Sequence, residues 1–262
     1  MDLYAFPPIA ALLDGAQDML MALVGLLEPL LGVSSAAAAI VLVTLLVRAA
    51  LIPVGISQAK AERTRARLAP RLAELQRRHR KNPERLQREM MALYADEGAS
   101  PLAGCLPMLI QAPIVGVIYA LFVLTTIAGH PNALLEQTLA DVPLGTSFAG
   151  SIAAGTLTPD SLVVFGVVVV SIALVGEVTR RAFRIQPANP ADAPVASPLA
   201  APGVARKLGF LQFITAVIAI FVPLAAALYL LVTVAWSLGQ RAVLRRRYPP
   251  HPPQQGLSAA PA

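Results

Sequence analysis

One basic residue, Arg48, stands inside the apolar run "AAAAIVLVTLLVRAALIPVGI", residues 36–56. A charged group in such a run is costly and normally faces a bundle interior or a water-filled cavity. Thr44 lies four residues earlier, on the same helical face. Gln111 stands midway along a second apolar run, and Tyr119 and Tyr229 belong to the second and the last. Arg48, Thr44 and Gln111 together suggest a polar recess inside the bundle, while Gln111 also suits helix–helix contact and Tyr119, Tyr229 and Trp236 also suit an interfacial aromatic belt. Two plainer roles compete: Arg48 snorkelling to headgroups, and Thr44 bonding its own helix backbone. Other chemistry-bearing residues are sparse. Cys105 is the single cysteine, so neither an intrachain disulfide nor a multi-cysteine metal site can form. His79, His130 and His251 are far apart in sequence. No G-x-x-x-x-G-K-[ST], G-x-G-x-x-G or H-E-x-x-H occurs. We expect no cofactor, no metal and no enzymatic reaction.

The elements that must position Arg48 are membrane helices. Of 262 residues, 56% are hydrophobic and 14% charged, where a soluble domain carries about 25% charged. Apolar stretches of 18 or more residues read as transmembrane helices. The expected fold is all-α: a polytopic membrane helix bundle with spans at 36–56, 102–127, 161–179, 208–222 and 224–240. The last two are separated because 208–239 as a single helix exceeds ~30 Å of hydrocarbon, and Pro223 supplies a turn. Residues 9–31 carry Asp14, Gln17, Asp18, Gly25 and Glu28 within roughly 100° at helical spacing. That stripe predicts an interfacial amphipathic helix. A sixth span is the alternative, made expensive by three carboxylates on one face. Residues 1–32 contain no Lys or Arg, so we expect no cleaved signal peptide and a retained N-terminus.

The charges give orientation. Residues 57–100 hold eleven Lys or Arg, 180–207 five and 241–247 four; 1–32 and 129–160 hold none. Arg48 is the remaining one of the 21. This alternation follows the positive-inside rule, with the N-terminus extracytoplasmic and the C-terminus cytoplasmic. Within 57–100, Leu68, Leu72 and Leu75 share one helix face, as do Leu86, Met90 and Leu93. Asn82-Pro83 fits an N-cap followed by proline at the first helical position. The pattern predicts a cytoplasmic hairpin of helices over about 58–80 and 83–97, whose basic surface also suits anionic lipids. Residues 1–32 thus form an extracytoplasmic segment and 33–247 the membrane domain. Residues 187–203 are a low-complexity linker and 248–262 a Pro-rich tail.

The stretch "EMMALYADEGASPLAGCLPMLIQAPIVGVIY", residues 89–119, resembles the YidC/Oxa1/Alb3 membrane protein insertases, in the short bacterial form without a large extracytoplasmic domain. The likeness runs over about 10–245. It rests on Pro101, Gly104, Cys105, Pro107, Gln111, Pro113 and Tyr119, on Thr44, Arg48 and Pro53, and on Pro223 to Tyr229 followed by Trp236 and Gln240. There are departures: Ser100 replaces the usual Asn, Leu230 stands where an aromatic is common, and Leu224, Ala225 and Ala226 replace a small residue and Gly. The third span matches poorly. The resemblance implies insertion of nascent proteins into the bacterial plasma membrane through a cytoplasm-facing hydrophilic groove carrying Arg48. It implies nascent membrane proteins as partners, the ribosome and the general secretion channel as helpers, and no specific nucleic acid. A small transporter or channel, and a structural assembly factor, are the competing readings.

Overall fold

The structure, a computed structural model, describes residues 6–98, 106–127, 129–182 and 213–247, with the side chains of all but 62, 65, 66 and 106–112. Pro101, Gly104, Cys105, the linker 187–203 and the tail 248–262 lie outside the described residues. The chain divides into two compact units.

The first unit begins with α1 (Pro7–Leu31), opened by two prolines where missing N–H groups leave no helical bond unmade. Leu13, Leu20 and Val24 are buried on one side. Leu12, Met19, Leu26 and Leu30 make an adjoining exposed apolar stripe. Asp18 and Glu28 are exposed, Asp14 and Gln17 half-buried. The helix thus has a buried face, an exposed apolar stripe and a side that carries its carboxylates. Gly32, at φ 53°, makes the turn that side-chain-bearing residues resist. After a single 3₁₀ turn, α2 (Ser35–Ala50) packs against α1.

The expected span 36–56 is interrupted. α2 stops at Ala50 and α3 (Ile52–Arg78) starts beyond Leu51. Pro53 has no N–H to offer the Ala49 carbonyl, and its ring disfavours a continuous helix there. Arg48 therefore sits in the last turn of α2, nearer the helix end than the eight residues that the 36–56 span implies.

α5 (Leu106–Val123) leads into a compact connection. There β1 (Thr126–Ile127) pairs antiparallel with β2 (His130–Pro131), and α6 (Ala133–Glu136) follows. Next, β3 (Thr138–Leu139) pairs antiparallel with β4 (Val142–Pro143) across Ala140 and Asp141, both at positive φ as a tight two-residue hairpin requires. These ladders are the departure from an all-helical expectation. α7 (Phe148–Ala153), α8 (Pro159–Ala182), α9 (Ile214–Phe221) and α10 (Leu224–Arg247) complete the unit, save for the last residues of α10. The helix does break at Val222-Pro223.

Asn132 ties this connection together. It is 2% exposed, and its Nδ2 donates to the Leu121 and Leu124 carbonyls at 2.8 and 2.9 Å. Its Oδ1 accepts from the Leu134 N–H at 3.2 Å, capping α6. One side chain thus answers carbonyls left open at the end of α5 and a donor at the start of α6. The Leu224 and Ala225 N–H groups, first in α10, donate to the Thr146 and Leu144 carbonyls at 2.8 and 3.0 Å. The buried core lies at this end. On α2 it comprises Ser35, Ala36, Ala37, Ala39, Ile40 and Thr44, on α10 Leu224–Leu228, and on α5 Ala120–Phe122. Beyond those residues α2 and α10 lose full burial.

Among the described residues three helical stretches are long and apolar enough to cross a membrane: Pro7–Ala50, Pro159–Ala182 and Leu224–Arg247. Pro113–Val123 is a shorter apolar stretch. The chain is an all-α, membrane-associated helix bundle apart from its two short ladders.

The second unit contains α3, α4 (Pro83–Asp96) and the end of α10. Asn82 caps α4 through the Arg85 N–H at 3.0 Å. Arg67 and Arg71, one turn apart on α3, both pair with Glu97 at 2.8 and 2.6 Å. His79 Nε2 lies 2.8 Å from a Glu89 oxygen in an ion-pair contact that is off the hydrogen-bond axis, and Arg85 Nε reaches the other oxygen at 3.1 Å. Gln240 of α10 rests its amide where a Cβ on Gly55 of α3 would stand.

Two outcomes follow from these contacts. Asn132→Ala leaves two carbonyls and one N–H unanswered and is expected to cost about 2 kcal/mol or more, read as a lower apparent melting temperature in detergent. Glu89 is held below its ordinary value of 4.5, first by the Arg85 hydrogen bond, with smaller charge contributions from His79 and Arg85 and against some desolvation. A depressed carboxyl lends stability above its unfolded pKa and loses it as pH falls through the folded one. Contact between α3 and α4, followed by paired spin labels, is expected to loosen below that ordinary value. Glu89→Gln should abolish this acid step.

Candidate functional site

Arg48 projects from the last turn of α2 toward α10. Its Nη2 donates to Thr233 Oγ1 at 3.2 Å and lies 3.5 Å from the Tyr229 hydroxyl. Tyr229 and Thr233 are one turn apart on α10, so both face the same neighbour. The Tyr229 ring packs at 44° on Phe122 of α5, with centroids 5.9 Å apart. Phe122 is buried, whereas Arg48, Tyr229 and Thr233 are half-buried. The cation therefore stands where the packed end of the unit gives way to the open part.

Not every expected residue joins it. Thr44 is 2% exposed and donates to the Ile40 carbonyl at 2.6 Å, the plainer of its two roles. It supports the Arg48 helix and makes no hydrogen bond to Arg48. Tyr119 is exposed on α5. Gln111 lies within α5, and its side chain is outside the described residues. Pro107 occupies the first turn of α5, Pro113 interrupts its interior hydrogen bonding, and Pro223 separates α9 from α10. Two participants escaped the sequence reading, Thr233 and Phe122. The signal for Thr233 was its place four residues after Tyr229; Phe122 had none beyond lying in the same apolar run as Tyr119.

Among the described residues the site holds one cation and two hydroxyls. Among the described residues no carboxylate is within ion-pair distance of Arg48. Glu177 is engaged elsewhere, by Arg180 at 2.6 Å and by Arg181. No group of three or more His, Cys, Asp or Glu could hold a metal ion among the described residues. The arrangement can attract an anion reversibly.

A family profile described as the 60Kd inner membrane protein matches residues 27–251. The chain belongs to the YidC/Oxa1/Alb3 family. Its similar proteins include the "Membrane protein insertase YidC" of Clostridium perfringens (strain 13 / Type A), 43% identical over 83 residues, which are 32% of this chain and 35% of that relative. That of Aquifex aeolicus (strain VF5) is 34% identical over 102 residues, 39% of this chain and 20% of the relative. That of Helicobacter pylori (strain ATCC 700392 / 26695) is 41% identical over 81 residues, 31% of this chain and 15% of the relative. The chain thus matches 35% or less of the length of each of these relatives.

For this YidC/Oxa1/Alb3 chain the geometry separates two neighbours in sequence. Thr44→Val removes a hydroxyl that only its own helix uses. It is expected to cost no more than about 1 kcal/mol, the net worth of one satisfied hydrogen bond, and to leave anion attraction at Arg48 intact. Thermal unfolding alongside an insertion assay would check both parts.

Proposed function

We propose that this protein inserts nascent membrane proteins into the bacterial plasma membrane and helps them fold. The observation that carries the reading is Arg48 at the open part of the first unit, held by neutral hydroxyls with its charge uncompensated among the described residues. Family membership supports the same role. The inserting protein, or client, must move a polar segment across hydrocarbon. A wet recess reaching partway shortens the dry distance and lowers the desolvation cost. Arg48 attracts acidic groups of that segment, weakly enough to release them. The apolar part of the client then leaves for lipid, driven by burial of its surface.

In this reading the protein is multi-pass with five spans, its N-terminus extracytoplasmic and its C-terminus cytoplasmic, as the distribution of its 21 basic residues favours. α1 lies along the outer surface, outside the count. α3 and α4 form a cytoplasmic hairpin whose basic residues meet the client, the ribosome or anionic lipids first. The recess is lined by Arg48, Tyr229, Gln111 and Tyr119, with Thr44 behind Arg48. The protein works alone or beside the general secretion channel. A transporter would favour paired ionisable residues across its spans, and Arg48 has no such partner among the described residues.

A photo-crosslinking residue at Gln111 is expected to capture a stalled nascent membrane protein. Arg48→Glu, at equal protein level, should lower insertion of clients with acidic translocated segments by roughly tenfold, equivalent to about 1.4 kcal/mol of lost attraction. Full insertion of every such client by Arg48→Glu would exclude the electrostatic role, and a clean absence of crosslinks would exclude the recess.

A further inference from the structure

The contacts of Arg48 are unequal. At 3.2 Å the Thr233 hydroxyl is at the edge of the ordinary N–H···O range, while the Tyr229 hydroxyl at 3.5 Å is outside it. Thr233 therefore supplies the working acceptor. Its own place is well determined. It is β-branched, hence stiff at χ1, and its carbonyl accepts the Ser237 hydroxyl at 2.8 Å one turn further along α10. A guanidinium carries five N–H donors, and Thr233 needs only one.

We propose that Thr233 is a positioning residue for Arg48. It turns the guanidinium toward α10 through one N–H and leaves the other donors, and the whole charge, for a carboxylate of the client. The neutrality of the acceptor matters as much as its position. A carboxylate at 233 would take the guanidinium in a charge-assisted, bidentate pair and cancel it. An apolar side chain would release Arg48 to follow its long stem toward water. The proposal rests on the reading of Arg48 as the client contact.

The test uses full-length protein in liposomes and protease protection of two single-span clients, one with an acidic and one with a neutral translocated segment. Thr233→Ser, Thr233→Val and Thr233→Asp are each measured with Arg48 present and in an Arg48→Ala background, at equal reconstituted amounts. The acidic-to-neutral insertion ratio is expected to fall roughly fivefold with Thr233→Val, the scale of one typical net hydrogen bond. It should fall further with Thr233→Asp and recover with Thr233→Ser. In the Arg48→Ala background Thr233→Ser and Thr233→Val should share one ratio, because residues acting as a unit are not additive. Thr233→Val losses that are the same with and without Arg48, or the same for both clients, overturn the proposal in favour of a packing role. Equal ratios for wild type and Arg48→Ala overturn the client-contact reading beneath it instead.

Discussion

A guanidinium keeps its proton at any pH a cell experiences, so a helix that carries one among apolar neighbours must supply hydration or acceptors. The first unit answers with a division of labour along its helices. At one end, alanine-rich turns of α2 and α10 and the close of α5 are fully buried beneath the 124–147 connection. Towards the other end burial lapses and hydroxyls appear. Were the packing uniform, Arg48 would be dry and the helix pair unstable; were it loose throughout, water would cross the whole unit. The tight end and the half-buried site each make sense because of the other.

That tight end depends on backbone accounting, because unmet N–H and C=O groups are expensive when buried. Asn132 answers two carbonyls and a donor at once. The connection's own carbonyls answer the first donors of α10. The second unit is held differently. Beside the buried Leu68 and Ala73 of α3 it uses ion pairs at partly exposed side chains, in which Glu97 gathers Arg67 and Arg71, and Glu89 gathers His79 and Arg85. Such pairs are individually weak in water and respond to salt and pH. One unit is thus built for permanence and the other for adjustment.

How much of this was legible in the sequence follows from the range of each interaction. The break at Pro223, the cap at Asn82 and the singularity of Arg48 are local or compositional, and all three could be read directly. The stop at Ala50 was missed because an apolar count runs through Pro53 without registering its absent N–H. The short β ladders were missed because two-residue strands carry no periodicity. Thr44 looked like a partner for Arg48 because helical spacing gives proximity but not the direction of a hydroxyl, which here turns to Ile40. Thr233 was invisible because its contact with Arg48 spans 185 positions, and no single-sequence pattern reports a pairing at that separation.

The start of α10 has a consequence of its own. Its leading N–H groups are satisfied by the carbonyls of Thr146 and Leu144, not by a capping side chain. A helix anchored through main chain places almost no chemical demand on the identity of the residues there, only on their size. Positions 224–226 are buried, Leu224 and Ala225 completely, so the demand they meet is one of volume and not of hydrogen bonding.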